Sequence, residues 1–159
     1  DRPDIEESYG VPKHLNGLLD WSYVEERMAT SRNYWIVTAD KNGKPAVSPV
    51  WGVWYENKLY FDGSQNSRRG RNISANQQVS VHLEDGTKAL IMDGTARIIK
   101  GVPDPEIAKV VSEGYCAKYK EMGYEPGPDM WDNGGLFVFI PEKVLAWTKF
   151  FDDATRWRL

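Results

Sequence analysis

Apolar and polar residues alternate in short runs along most of the chain, and residues that favour turns separate these runs. Such runs, rich in β-branched and aromatic residues, predict antiparallel strands. The predicted strands cover residues 34–39, 45–55, 59–61, 78–83, 88–100, 135–140 and 143–149. The intervening residues 40–43 and 56–58 form tight turns, which join the first three strands into a meander.

Gly94 lies in the middle of the longest of these runs, where a glycine indicates a bulge or a sharp bend. A barrel needs such bends, because its strands curve around a common core. Six to seven antiparallel strands, with two to four short helices between them, therefore predict a mainly β fold, a closed antiparallel barrel.

Apolar residues change to a helical spacing in two places. Trp21, Val24 and Met28 share one face of a helix predicted over residues 21–31, and Asp20 is placed to cap it. A second helix ends at Gly123. Its predicted buried face consists of Ile107, Val110, Val111, Tyr115, Tyr119 and Met122. A third, brief helix is predicted over residues 71–76.

Residues 1–19 mix charged residues with proline and glycine, which predicts an extended arm with little regular structure. The remaining residues, 20–159, suit one domain, and we find no linker that would divide them. Residues 124–133 read as a loop, but they include Trp131, a side chain that is rarely left in water.

Composition excludes several classes of protein. The net charge of -3 argues against a general nucleic-acid binder, which needs an excess of lysine and arginine. Cys116 is the only cysteine and His14 and His82 are the only histidines, so neither an internal disulfide nor a cysteine and histidine metal site is expected. No apolar stretch approaches a membrane span, and the acidic start is unlike a signal peptide. We therefore expect a cytoplasmic protein without a membrane or nucleic-acid partner.

The strongest chemical signal follows the third strand, where an apolar run breaks into small polar residues and arginines. Hydroxyls, guanidinium groups and flexible glycines are what a phosphate-binding loop requires. The residues concerned are Gly63, Ser64, Ser67, Arg68, Arg69, Gly70 and Arg71. This pattern favours an anion site, although a solvated surface loop has a similar composition.

No catalytic side chain stands out. His82 lies in the middle of an alternating strand, which is typical of a packed or surface residue. Asp104, Glu106, Glu113 and Glu121 fall at a helix start or on exposed helix positions, where solvation accounts for them. The chain offers neither a paired-carboxylate site nor a nucleophile with a histidine base.

The order of these parts resembles the pyridoxamine-phosphate-oxidase-like split-barrel flavoproteins, a family of dimeric flavin and deazaflavin binders. The resemblance is carried by residues 45–51, 60–64, 67–73, 76–81 and 155–159. It implies a split β-barrel, a homodimer, and a cofactor phosphate held by Ser67, Arg68 and Arg69. Arginine stands at position 69 where the family has lysine, which keeps the charge but changes its geometry.

The same resemblance implies that the strand from Val47 to Trp51 forms the wall for the cofactor ring. The ending Thr-Arg-Trp-Arg at 155–158 resembles the branch that uses the deazaflavin coenzyme F-420, and it gives Arg156, Trp157 and Arg158 a role beside the cofactor. A strand end packed on the barrel is the alternative for Trp157. The full set of candidate cofactor-binding residues is Val47, Ser48, Val50, Trp51, Ser64, Ser67, Arg68, Arg69, Asn72, Lys88, Arg156, Trp157 and Arg158.

The implied function is an F-420-dependent reductase that transfers a hydride to a planar, electron-poor small molecule. In such an enzyme the cofactor supplies the chemistry, and the protein holds ring and acceptor together and excludes water. Two alternatives stay open. One is an FMN-binding oxidase or reductase of the pyridoxamine-phosphate-oxidase type, and the other is a carrier that binds flavin or heme without turnover.

Overall fold

The structure is a computed structural model that describes residues 1–159. Its three helices are α1 (Trp21–Thr30), α2 (Arg68–Ala75) and α3 (Pro105–Tyr119). Its strands are β1 (Tyr34–Ala39), β2 (Pro45–Val50), β3 (Gly52–Tyr55), β4 (Lys58–Asp62), β5 (Gln78–His82), β6 (Leu90–Ile98), β7 (Leu136–Ala146) and β8 (Thr155–Arg158). Two short 3-10 turns cover Glu7–Tyr9 and Lys120–Met122.

All strands belong to one antiparallel sheet in the order β2-β1-β5-β6-β7-β4-β3, with β8 added on β7. The two end strands of this order, β2 and β3, follow each other in the chain with only Trp51 between them. The sheet therefore curls until its two ends meet at Trp51. This confirms the predicted fold class, a mainly β antiparallel split barrel.

Strand boundaries differ from the prediction in two places. Residues 45–55 form two strands, because β2 pairs with β1 whereas β3 pairs with β4. Conversely, β7 is one strand across Pro141, where the sequence predicted two. Pro141 pairs with Gly94 at a shift in the β6–β7 register, and a proline is tolerated at such an irregularity. The predicted bend at Gly94 is confirmed.

The core has two parts. Inside the barrel, apolar side chains of the strands pack with Val24 and Met28 of α1. Outside it, α3 covers β3, β4 and β7 with a second apolar cluster that includes Val111 and Trp131. Trp131 is only 2% exposed, so the long loop folds back onto the barrel. Met122 was predicted to share the buried face of α3, but it follows the helix and is 44% exposed.

Helix α2 begins at Arg68, three residues earlier than predicted. The Ser67 side chain caps it, because its hydroxyl oxygen accepts a hydrogen bond from the Gly70 N–H at 3.1 Å. This earlier start places Arg68 and Arg69 in the first turn of a helix instead of in a loop. α1, capped by Asp20 through the N–H of Ser22, agrees with its prediction within one residue.

Residues 1–19 contain only the turn at Glu7–Tyr9 as regular structure. Arg2 fastens this arm, since its guanidinium donates to the carbonyls of His14 at 2.9 Å, Asn16 at 2.6 Å and Asp152 at 2.7 Å. None of the helices has both the length and the apolar composition that crossing a membrane requires.

Candidate functional site

A cavity of about 290 Å³ lies where the two ends of the sheet meet. β2 and the following Trp51 form one side, the end of β4 another, and α2 a third. The lining residues are Asn33, Pro49, Val50, Trp51, Asp62 and Arg69. Three of them, Val50, Trp51 and Arg69, belong to the predicted set.

Arg69 is the predicted phosphate residue that reaches this cavity. Its Nη1 donates to the Ser48 hydroxyl oxygen at 2.9 Å, which ties α2 to β2. Its Nε is buried and has no hydrogen-bond partner. Burial lowers the pKa of the guanidinium, and the nearby Asp62 acts in the opposite direction. The group still carries its charge at any ordinary pH, so a half-buried cation with one unpaired buried donor lines this cavity.

The other residues of the arginine segment lie differently. Arg68 is exposed and only approaches the Pro45 carbonyl, at 3.5 Å, and Arg71 is exposed and donates to the Asn66 carbonyl. The hydroxyl oxygens of Ser64 and Ser67 accept hydrogen bonds from backbone N–H groups within this same segment. Arg69 is therefore the one arginine of the segment that lines the cavity.

Trp51 forms the aromatic wall of the cavity. Its indole stacks on the Tyr119 ring, with 4.7 Å between centroids and 9° between planes. Tyr124 also packs against the indole, with 5.9 Å between centroids. Val50 beside it is buried, whereas Val47 points outward and is 58% exposed. The wall is a flat indole supported from behind, which suits a planar ligand.

The sequence did not single out Asp62, which also lines the cavity. Its Oδ2 accepts hydrogen bonds from the Tyr124 hydroxyl and from the Trp131 indole N–H, the latter at 3.4 Å. Burial, together with this bond to Asp62, raises the pKa of the Tyr124 phenol, which therefore stays neutral. The available signal was position, because Asp62 ends the strand that leads into the arginine segment.

Three other residues have structural contacts. Asn72 is buried and donates to the Thr38 hydroxyl oxygen at 3.0 Å, which fixes α2 on β1. Lys88 is exposed in a turn, where its backbone N–H donates to Asp85 at 3.0 Å. His82 stacks on Trp35, with ring planes 4° apart.

The C-terminal candidates lie at a second cavity, of about 520 Å³. Arg156 and Arg158 both pair with the Asp1 carboxylate, at 2.9 Å and 3.2 Å. Trp157 meets Trp21 of α1 edge to face, with 5.6 Å between centroids. Within one chain, the structure thus separates the candidate residues into a group around Arg69 and Trp51 and a group on β8.

Comparison with solved structures finds similar folds at low sequence identity. A conserved hypothetical protein from Mycobacterium tuberculosis is 18% identical, with a TM-score of 0.65 over 86% of this chain and 89% of that one. An F-420 reductase is 21% identical, with a TM-score of 0.54 over 76% of this chain and 94% of that one. The heme storage protein HutZ from Vibrio cholerae is 25% identical, with a TM-score of 0.56 over 85% of this chain and 97% of that one.

No curated protein matches the chain. A family model does, and it is described as pyridoxamine 5'-phosphate oxidase. The match covers residues 23–148, which include the whole barrel up to the end of β7 and all the residues that line the first cavity. The chain belongs to the pyridoxamine 5'-phosphate oxidase family.

Proposed function

We propose that this protein is an F-420-dependent reductase that transfers a hydride from the reduced deazaflavin to a planar, electron-poor small molecule. The observation that carries the proposal is Arg69. It is a charged, half-buried side chain whose Nε has no partner, at a cavity that Trp51 bounds with a flat aromatic face. Leaving a buried donor unpaired costs about 1–3 kcal/mol, and a bound anion would remove that cost.

The residues present fit the phosphate end of such a cofactor. Arg69 would bind a phosphate oxygen through the part of its guanidinium that lines the cavity while Nη1 keeps its bond to Ser48. Arg68 and the hydroxyl of Ser64 are exposed next to it and would add charge and a donor at the surface. Arginine in place of lysine favours two-point contact with the phosphate.

The chain's own residues would bind and orient, while the reduced deazaflavin supplies a hydride from C5 of its ring. Trp51, backed by Tyr119, offers the face against which a planar ring lies. A fixed ring face sets the distance and direction from which an acceptor approaches. Asp62 adds a carboxylate whose Oδ1 accepts one long bond, from the Tyr115 hydroxyl at 3.4 Å, and has acceptor capacity left for a ligand N–H or O–H group.

The choice of F-420 over FMN rests on the sequence of β8, where the ending at 155–158 resembles the deazaflavin branch. The fold shared with the F-420 reductase supports this choice only at the level of architecture. An FMN-binding oxidase or reductase would use the same phosphate contacts, so cofactor titration has to decide between the two.

A carrier without turnover is the second candidate, because HutZ, a heme storage protein, is 25% identical over 85% of this chain. Neither histidine of this chain lines the Arg69 cavity, since His82 stacks on Trp35 and His14 lies in the N-terminal arm. Histidine is a common axial ligand of heme iron, so this arrangement favours a flavin over heme at that cavity.

We also propose that the protein is a homodimer. The outer edge of β2 is an end of the sheet order, and the strand exposes Val47 beside Pro45 and Pro49. An open strand edge with apolar side chains is commonly covered by another chain. Light scattering should give twice the chain mass, and Val47→Lys should shift the protein towards monomer.

The function is tested by titrating one preparation with F-420 and with FMN while tryptophan fluorescence is followed. Tight binding of F-420 and weaker binding of FMN are expected. The reduced cofactor should then be reoxidised faster when quinones, nitro compounds or tetrapyrroles are added. Binding of FMN alone would contradict the deazaflavin assignment, and bound cofactor without acceleration by any acceptor would favour the carrier.

A further inference from the structure

The peptide groups at the corner between β2 and β3 are held by side chains of α3. The Gly52 N–H donates to the Tyr119 hydroxyl oxygen at 3.0 Å, and the Gly52 carbonyl accepts from Lys118 Nζ at 2.8 Å. The preceding carbonyl, of Trp51, accepts from the Tyr115 hydroxyl at 3.1 Å. Neighbouring residues of one helix therefore bind both polar groups of the glycine that follows the cavity wall.

Lys118 also contacts the barrel on a second side. Its Nζ donates to the Tyr34 hydroxyl oxygen at 2.7 Å and lies over the rings of Tyr34, at 4.7 Å, and Tyr119, at 5.3 Å. Tyr34 in turn donates to the Met28 carbonyl of α1. One ammonium group thus joins α3, β1 and the corner at Gly52, and the nearness of two aromatic rings favours its charged form.

The same helix supports the cavity through the tryptophan ring. Tyr119 uses its hydroxyl for Gly52 and its ring for Trp51, on which it stacks in nearly parallel planes. The corner itself has no spare room, because a Cβ on Gly52 would lie 2.8 Å from the Tyr60 carbonyl oxygen. A displacement of Lys118 or Tyr119 would therefore also displace Trp51, which forms the cavity wall.

We propose that Lys118 and Tyr119 are positioning residues for the ligand cavity, and that Lys118 holds the Trp51 wall as a charged ammonium, so that ligand binding weakens when this group loses its proton. The inference rests on the proposed function in taking the Arg69 cavity as the cofactor site. Lys118 and Tyr119 support that site from behind its Trp51 wall, since neither residue lines the cavity.

The surroundings of Lys118 make it the group that titrates. Burial, with a smaller contribution from Arg32, lowers the pKa of Lys118 to about 8. Tyr34 on β1 and Tyr119 on α3 face it, and burial raises the pKa of both phenols, so they stay neutral. Arg32, before β1, lies 3.9 Å from Glu121. β3 contributes the N–H and the carbonyl of Gly52 to this group of contacts, and α1 contributes the Met28 carbonyl.

Loss of the proton weakens the contacts of Lys118 with the Gly52 corner and its surroundings in two ways. The charge-assisted bonds to Gly52 and Tyr34 become neutral ones, which are roughly half as strong. The attraction to the two aromatic faces disappears as well. Ligand affinity should therefore fall as pH rises through about 8.

The test uses the whole chain and measures binding of F-420 and of FMN between about pH 7 and 9.5, where a phosphate monoester with a second pKa of about 6 stays fully ionised. The wild type should lose affinity about three- to tenfold over this range as a charge-assisted bond is weakened. Lys118→Met should bind the cofactor weakly, and its affinity should not fall as pH rises over this range. Tyr119→Phe keeps the ring but loses the bond to Gly52. It should therefore bind the cofactor weakly, and its affinity should still fall as pH rises. Lys109→Met, on an exposed position of the same helix, should match the wild type.

A second readout needs no ligand. The near-ultraviolet circular dichroism of the Trp51 and Tyr119 stack, assigned with Trp51→Phe, should change with a midpoint near pH 8 in the wild type and not in Lys118→Met. If neither cofactor binds the wild type, the proposed function fails, and this signal alone decides the positioning role. A signal without that midpoint, or the same pH profile in Lys118→Met as in the wild type, would overturn the inference.

Discussion

Arg69 Nη1 donates a 2.9 Å hydrogen bond to Ser48 Oγ and so links the first turn of α2 to β2 across the entrance of the cavity. The bond uses one edge of the guanidinium and leaves Nε buried and unpaired. Ser48 thus fixes the orientation in which Arg69 offers its remaining donors. Of the three arginines that the sequence predicts to bind a phosphate, Arg69 is the one that lines the cavity.

Replacing Arg69 should weaken binding of any cofactor that carries a phosphate. Arg69→Ala removes a charge-assisted hydrogen bond, which predicts a loss of about 1.5–3 kcal/mol in binding free energy. Isothermal titration with F-420 and FMN measures it. Arg97→Ala removes the same charge from an exposed position of β6 and should leave the affinity unchanged. Equal effects of the two substitutions would show that only net charge matters.

The cap of α2 should matter for stability. Ser67→Ala removes the hydroxyl that accepts from the Gly70 N–H, so the free energy of unfolding should fall by about 1 kcal/mol. Urea denaturation checks this. Ser74→Ala is the matched control, because Ser74 is exposed in the same helix and only bonds back to the Gly70 carbonyl. A loss in the control as large as in Ser67→Ala would contradict the capping role.

The bend in β6 should not tolerate a side chain. A Cβ on Gly94 would lie 2.1 Å from the Ile140 carbonyl oxygen, so Gly94→Ala must displace the backbone of β7. We expect a loss of at least about 2 kcal/mol in the free energy of unfolding. Gly86→Ala, in a turn with no atom within 4 Å of the added Cβ, should be tolerated. Urea denaturation of both variants separates crowding from a general effect of replacing glycine.

Lys118 should make stability depend on pH in a particular direction. Its pKa of about 8 in the folded protein is below the ordinary lysine value, so between about pH 8 and 10.5 the unfolded chain binds more protons. The free energy of unfolding of the wild type should therefore rise with pH in this window relative to Lys118→Met. Each pKa unit corresponds to about 1.4 kcal/mol, and partial solvent access reduces the total to about 2 kcal/mol. Urea denaturation at several pH values tests the sign.

Ligand binding and stability thus respond to the same proton in opposite directions. The charged ammonium costs desolvation energy but holds the Trp51 corner, whereas the neutral amine is less costly to bury and holds it less firmly. A variant that gains stability at position 118 is therefore expected to lose affinity.

Local patterns in the sequence predicted the architecture well. The bend at Gly94, the cap at Asp20 and the burial of Trp131 each follow from properties of one residue and its neighbours. The strand break at Trp51 was not predicted, although Gly52 directly after it is a residue that often marks a bend or bulge in a strand. The break arises from a change of partner strand, which is a property of the curled sheet as a whole.

The candidate site was predicted only in part, for the same reason. Arg69 and Trp51 came from local motifs, and both line the cavity. Asp62 and Lys118 are ordinary charged residues in sequence, and their importance depends on which buried aromatic groups surround them in the fold. Sequence reasoning placed Asn72 with the cofactor-binding residues, whereas its amide holds α2 to β1 through Thr38.

Trp51 is the single residue between β2 and β3, so neither strand can shift without moving the other. A shift of β2 along β1 would pull β3 along β4, since Trp51 cannot lengthen to absorb it. A shift of one residue would also turn every side chain of the strand to the opposite face, which the buried faces of β1 and β4 oppose. The position of the Trp51 ring, which is offered to a ligand, therefore depends on the strand pairing of the whole sheet.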